Sequence, residues 1–277
     1  MDPAFFTAYD ALLRRWELPL DQVELTSEFG TTHVNACGPT DAPPLVLLAG
    51  HGATSAVWFS VAPQLAANHR VYAVDLMGAA GRSVTNGIPL TKPADLHRWL
   101  TGVLDVLQLE QADFCGHSYG SWLSLTYALA APDRVKRLAL LDPTDCFIGL
   151  SIWYVARAIP LLLRPTRARS RSFLRWETQG VPVEPAWLDL TDLASEFPGA
   201  RPVRPRRPSP EHLRELQADL LVVVAGRSKS HNPNHLTATV QTLAPRATVV
   251  RIDQATHHSL PAAHTEELTA ALEKHLA

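Results

Sequence analysis

The chain of 277 residues is 46% hydrophobic with a formal net charge of -2, enough apolar material for one large core and too little positive charge for a general nucleic-acid or membrane-surface binder. No apolar run approaches the ~20 residues that span a bilayer, and Met1-Asp2-Pro3-Ala4-Phe5-Phe6 lacks the basic start and cleavage site of a secretory signal. Cys37, Cys115 and Cys146 form no C-x-x-C pair, so a disulfide framework is not expected and a reducing, cytoplasmic setting is.

Residues 3–16 have helical periodicity, with Phe6, Tyr9, Leu12, Leu13 and Trp16 along one side. Two short strands are expected at 23–28 and 31–37. Leu45-Val46-Leu47-Leu48-Ala49 reads as a strand covered on both faces, and leads into His51-Gly52-Ala53. A helix over 55–67 and a buried strand at 71–75 follow. The helix at 93–109 starts with proline in its first turn and carries Leu96, Trp99, Leu100, Val103, Leu104 and Leu107 as its apolar stripe.

The most informative segment comes next. Gly116-His117-Ser118-Tyr119-Gly120 has a short apolar run before it and a helical stretch, 121–130, after it. A serine at a strand-to-helix turn is held strained and exposed at the carboxyl edge of a sheet. Glycines on either side let strand and helix approach closely. Ser118 is therefore the candidate nucleophile. A further strand, 137–142, ends in Leu141-Asp142-Pro143.

Between Pro143 and Pro210 the composition changes, to about ten arginines, about six acids and no lysine. The regular pattern resumes with a strand at 220–225, a helix at 234–243, a strand at 248–253, His257-His258 and a final helix. Strands alternating with amphipathic helices imply an α/β fold, a mostly parallel central sheet flanked by helices. The expected organisation is a core of residues 1–142 and 211–277 with a helical cap of residues 143–210, whose stretch 198–210 returns extended to the sheet.

Four landmarks in order resemble the α/β-hydrolase superfamily of the serine-nucleophile type with a helical cap. They are the His51-Gly52 turn; Asp75-Leu76-Met77-Gly78-Ala79-Ala80-Gly81-Arg82-Ser83; the Ser118 elbow; and Ala255-Thr256-His257 after the last strand. The likeness runs from about Leu45 onward, apart from the cap. It implies His257 as the general base, His258 being the alternative, and backbone amides of Ala53 and Tyr119 as oxyanion donors. Asp75, Arg82 and Ser83 read as scaffold.

The chain departs from the family at the acid. Relatives commonly carry Asp or Glu just beyond the glycine that ends the penultimate strand. Here that stretch is Gly226-Arg227-Ser228-Lys229-Ser230-His231-Asn232-Pro233, with no carboxylate. A lysine there would disfavour an imidazolium. The family's fold offers a second place, the end of the strand following the elbow helix, which some relatives use, so the resemblance implies Asp142 as the acid; Asp145 and Asp253 are alternatives, and capping of the insertion is the structural reading of Asp142. His231 and His235 have i,i+4 spacing but no acidic or cysteine partner nearby, so no metal site or cofactor is expected.

The cap should set the substrate. His51, Trp153 and Trp176 are candidate pocket walls, with Leu161, Leu162, Leu163 and Trp187 as further apolar material. Arg164, Arg167, Arg169, Arg171 and Arg175 form either a solvated helical face or an attraction for an anionic acyl compound or an acyl carrier. The leading expectation is a small-molecule hydrolase of a carboxylic ester, lactone or thioester. A same-fold cyclisation, elimination or acyl transfer is the first alternative and a non-catalytic receptor the second.

Overall fold

A computed structural model describes residues 2–277. Helix α1 (Pro3–Leu13) begins with Asp2 accepting the Ala4 N–H at 2.9 Å, and a 3-10 turn carries the chain to Trp16. Strands β1 (Asp21–Ser27) and β2 (Gly30–Cys37) form an antiparallel hairpin. Strand β3 (Pro44–Leu48) then enters the centre of the sheet with four of its five residues buried. The helix expected over 55–67 is divided, into a 3-10 segment (Ser55–Ser60) and the short α2 (Ala62–Leu65). Pro63, lacking an N–H and clashing with a preceding turn, explains why one continuous helix does not form.

Strand β4 (Arg70–Val74), the two-residue β5 (Val84–Thr85) and α3 (Pro93–Val106) precede the elbow strand β6 (Ala112–His117) and helix α4 (Tyr119–Ala130). After β7 (Val135–Leu141) the chain leaves the sheet for α5 (Ile152–Leu163), α6 (Arg167–Thr178), α7 (Pro185–Ala194) and α8 (Pro210–Arg214). It returns as β8 (Asp219–Ala225), then α9 (Pro233–Leu243), β9 (Thr248–Ile252), α10 (Leu260–Ala263) and α11 (Thr265–Leu276).

Among the described residues the strands form one sheet in the order β1-β2-β4-β3-β6-β7-β8-β9, with β5 paired to β2. Pairing is parallel from β4 to β9 and antiparallel at the β1-β2-β4 end. Each face carries its own apolar core, one built on Leu45, Leu47, Trp58 and Cys115, the other on Val46, Leu48, Trp99 and Phe114. The alternation within β3 is the period of two that sends successive side chains to opposite faces.

Two features tie the insertion to the sheet. The segment between α7 and α8 has no helix or strand, and its backbone caps buried side chains: Tyr119 Oη donates to Val203 O at 3.1 Å and Trp122 Nε1 to Arg206 O at 3.0 Å. Helix α1 packs on α7, with Phe5 against Phe197 (ring centroids 4.7 Å apart) and Arg15 against Glu184 at 2.9 Å. Asp75, fully buried, accepts from Tyr9 Oη, Ser55 N and Arg82 N at 2.8–2.9 Å, the bracing role expected of it.

Candidate active site

Parallel strands β3, β6, β7 and β8 all end at one edge of the sheet, and the residues just past those ends meet there. Ser118 follows β6 with φ 54° and ψ -114°, a conformation an L-residue adopts only under constraint. The constraint is visible at its glycines. A Cβ on Gly116 would stand 2.3 Å from Gly120 O, and one on Gly120 only 2.0 Å from Leu48 O. Ser121 Oγ donates to Gly116 O at 2.6 Å, and Ser118 N to Leu141 O at 3.1 Å, fixing the turn against β7.

His257, in the loop after β9, places Nε2 2.9 Å from Ser118 Oγ and Nδ1 2.7 Å from Asp142 Oδ2. The three residues, far apart in sequence, are thus brought into one hydrogen-bonded line. Burial pushes the His257 imidazole below its ordinary pKa, only partly offset by Asp142. The ring is therefore neutral at pH 7, with Nδ1–H donating to Asp142 and the Nε2 lone pair facing the serine hydroxyl. Burial works against ionisation of Asp142, but His231 and His257 outweigh it and hold the carboxyl well below the usual range.

The carboxyl-free stretch after β8 serves Asp142 instead of replacing it. Asp142 accepts from Ala225 N at 3.0 Å and from Ser228 Oγ at 2.7 Å, and Ser230 Oγ lies 3.3 Å from both Asp142 Oδ2 and His257 Nδ1. His231 Nε2 stands 3.2 Å from Asp142 Oδ1, close but off the hydrogen-bond axis. His231 thus does have an acidic neighbour, contrary to the sequence reading, because β7 and β8 are adjacent in the sheet. Lys229 does not face His257: its Nζ lies 4.4 Å from the centre of the Trp176 ring and donates to the Trp176 carbonyl. The alternative acids have other surroundings, Asp145 near Arg207 and Arg204, and Asp253 exposed and paired to Arg251 at 2.8 Å.

Two side chains that sequence reasoning missed fix the position of His257. Glu177, on cap helix α6 and completely buried, accepts from His257 N, His258 N and Thr256 Oγ1, each at 3.0 Å. His258, the alternative base, sits beside Glu177 with Nδ1 3.3 Å away. His117 Nε2 donates to His257 O at 2.9 Å, and the two rings are 4.8 Å apart. Burial drives His117 well below its ordinary pKa, so it is a neutral donor. The available sequence signal for Glu177 was that it is the lone carboxylate in residues 151–183.

Tyr119 opens α4, where the first N–H groups have no intrahelical acceptor, and its amide adjoins Ser118. Ala53 is differently placed: its N–H donates to Gly50 O at 3.1 Å in a tight turn. An oxyanion there has to share that proton or displace the carbonyl.

A cavity of about 210 Å³ has His51, Tyr119, Leu76, Met77, Leu123 and Val203 among its walls. Trp153 and Trp176 do not share it with His51, correcting the expected pocket. They line a larger, more open cavity of about 780 Å³ on the Asp142 side, with Tyr154, Ser228, Lys229 and His231. Neither cavity has Ser118 or His257 among its walls; the smaller one borders the site through Tyr119, whose amide adjoins Ser118, and through His51. Leu162 and Leu163 point outward, 65% and 81% exposed, and Trp187 is buried core. Among the described residues no cluster of three or more His, Cys, Asp or Glu could hold a metal ion.

Comparison with known proteins agrees with this architecture. The model of the alpha/beta hydrolase family matches residues 45–272. Carboxylesterase YbfK of Bacillus subtilis (strain 168) is 34% identical over 175 residues, 63% of this chain and 57% of that protein. The matched stretches thus span about half the length of the curated relatives. The crystal structure of carboxylesterase CesB (YbfK) from Bacillus subtilis superposes with a TM-score of 0.91 at 25% identity, covering 99% of this chain and 97% of that one. Naproxen esterase (carboxylesterase NP) from the same species gives 0.92 at 24% identity over 100% and 99%, a likeness of fold. With its elbow, sheet order and family-model match in agreement, the chain belongs to the alpha/beta hydrolase family.

Proposed function

We propose that the chain is a serine hydrolase of carboxylic esters, with lactones and thioesters as close chemical variants. The observation that carries this is the line Ser118 Oγ to His257 Nε2 to Asp142, at 2.9 and 2.7 Å, beside a helix N-terminus. Ser118 Oγ attacks the carbonyl carbon while His257 Nε2 takes the hydroxyl proton. The Tyr119 N–H meets the developing oxyanion, a contact worth about 3–4 kcal/mol in such sites. Collapse expels the alcohol, which leaves with the proton from His257. Water then enters, gives its proton to His257, and releases the acid from Ser118.

The names of relatives support the ester assignment, since two curated relatives, YbfK among them, and the CesB structure at 25% identity are named carboxylesterases. The walls of the smaller cavity are mainly apolar, which suits an uncharged acyl or alkyl group next to the scissile bond. Arg164, Arg167, Arg169, Arg171 and Arg175 line neither cavity, so this reading draws no anionic group of the substrate to them. Among the described residues no helix is long and apolar enough to cross a membrane, and a cytoplasmic location is part of the same proposal.

The test is covalent labelling with a fluorophosphonate, together with hydrolysis of short nitrophenyl esters in isotopically labelled water. The native chain should be labelled, Ser118→Ala should not, and one labelled oxygen should enter the acid product. Turnover without oxygen uptake would move the assignment to cyclisation, elimination or acyl transfer.

A further inference from the structure

Seven of the ten exposed large hydrophobic side chains among the described residues fall within 150–163, on or beside α5. At 3.6 residues per turn, Ile152, Val155, Ile159, Leu162 and Leu163 share one side of the helix, and the stripe runs roughly 17 Å. Trp153 stands next to it, 77% exposed. The opposite side already has its partner: Tyr154 is buried against Phe173 of α6, ring centroids 5.3 Å apart, with Ala158 and Leu161 half-buried beside it. Helix α5 is therefore apolar on two faces, and only one of them is covered. An exposed apolar face this concentrated marks an interaction surface.

Its rim is cationic. Residues 151–176 contain six arginines and no Asp or Glu. Arg167 and Arg171 are taken up by Asp2, Glu196, Asp189 and Asp192. Arg157, Arg164 and Arg169 have no carboxylate partner among the described residues, and all three border α5. Arg157 lies on the side of the helix away from the stripe, 5.9 Å from the Trp176 ring centre and donating to Ser172 Oγ at 3.3 Å, whereas Arg164 is the C-cap. Arg169 donates to the carbonyls of Pro160 and Arg164, both at 2.9 Å. The whole-chain charge of -2 averages this concentration away.

A second copy of the chain on this face would set two arginine rims against each other, and a neutral partner would leave the Arg164 and Arg169 guanidiniums without a counter-charge. An acidic protein matches the rim but not a stripe of isoleucine, leucine and tryptophan. Anionic lipid matches both, with apolar side chains at the acyl boundary, indole at the headgroup level and guanidinium on phosphate. We infer that the cap docks on an anionic lipid surface through the outer face of α5, with Arg164 and Arg169 meeting the lipid phosphates. The inference stands on the cap alone and does not depend on the ester-hydrolase reading.

The full chain is sedimented with vesicles of phosphatidylcholine and with vesicles of phosphatidylcholine mixed with phosphatidylglycerol. The native protein should bind the mixed vesicles, less so at high salt, with a blue shift of indole emission that Trp153→Phe removes. Ile159→Asp with Leu163→Asp should lower partitioning roughly tenfold or more, with hydrolysis of a soluble nitrophenyl ester unchanged. Arg164→Gln with Arg169→Gln should abolish the preference for anionic lipid. Absence of native binding, or binding indifferent to both pairs, overturns the inference. So does a dimer in light scattering that Ile159→Asp and Leu163→Asp dissociate, or an acidic acyl carrier protein bound by the same residues while vesicles are not.

Discussion

Glu177 of the cap helix accepts the backbone N–H of His257 at 3.0 Å. The residue that positions His257, the proposed general base, therefore comes from the insertion and not from the sheet. Burial opposes the Glu177 charge, yet His258 and His257 hold its pKa below the ordinary value. It remains an anion whose three acceptor contacts fix residues 256–258 as a unit. Cap and catalytic loop are thus coupled by hydrogen bonds to a charged group, about 1.5–3 kcal/mol each in typical cases.

Replacing Glu177 by alanine should cut kcat by roughly 10- to 100-fold, the penalty for an ångström-scale displacement of a reacting group, with KM for a small ester little changed. Glu177→Gln retains an acceptor and should recover part of that loss. The charge itself raises the His257 pKa, so the glutamine variant should show its acid limb of kcat/KM at lower pH than the native enzyme. A merely structural role would leave that limb in place.

Asp142→Asn should lower kcat by about 10⁴-fold, as loss of the tautomer-fixing carboxylate does in triads of this kind. The geometry also defines a rescue. Ser230 Oγ already lies 3.3 Å from His257 Nδ1, so Ser230→Asp in the Asp142→Asn background should restore part of the rate. Steady-state kinetics on a nitrophenyl ester decides it. A single Asp142→Asn variant with near-native turnover would falsify the assignment of the acid.

The pH behaviour follows from the direction of two histidine shifts. His257 acts as a base in its neutral form, and burial lowers its pKa from 6.5. Activity should therefore persist to a pH below 6.5 before the acid limb appears. His117 is shifted the same way and further. Both bind protons more readily in the unfolded chain, so stability falls as pH drops below 6.5 toward their folded values. Asp142 is depressed as well, and its contribution is lost only in stronger acid, as pH falls below 3.8 through its folded value. Denaturant midpoints measured across this range should decline in two stages.

Much of the site was legible in the chain because local chemistry determines it. Ser118 lies between glycines that no other residue can replace at that turn, and His257 follows a strand whose apolar run ends in plain view. Asp142 was reached through the family resemblance, which offers a second acid position after the elbow helix, once residues 226–233 held no carboxylate. Ser228, Ser230 and His231 could not be assigned, because their role depends on β7 and β8 being neighbours. Glu177 was hidden for the same reason, being some eighty residues from the loop it holds. Trp153 of the cap was misplaced on a different ground. Helix α5 is apolar on two faces, and periodicity alone does not say which of them turns inward.

The glycines of the elbow allow a test in which only space is at issue. A Cβ on Gly120 would lie 2.0 Å from Leu48 O and 2.7 Å from Ala49 O, main-chain atoms of a central strand that pairs on both sides. Neither side chain rotation nor a local shift relieves such a contact, so α4 must move away from β3. Forcing one methyl into a packed site typically costs about 1–3 kcal/mol. Gly120→Ala should lose at least that much in a denaturant titration. Since α4 carries the Tyr119 amide at its first turn, any folded fraction should also react slowly with a fluorophosphonate. Ser121→Ala is the control: it gives up the 2.6 Å bond to Gly116 O without adding volume, and should cost only about 1 kcal/mol. Equal stability of the two variants would mean that the helix approaches the strand less closely than these contacts require.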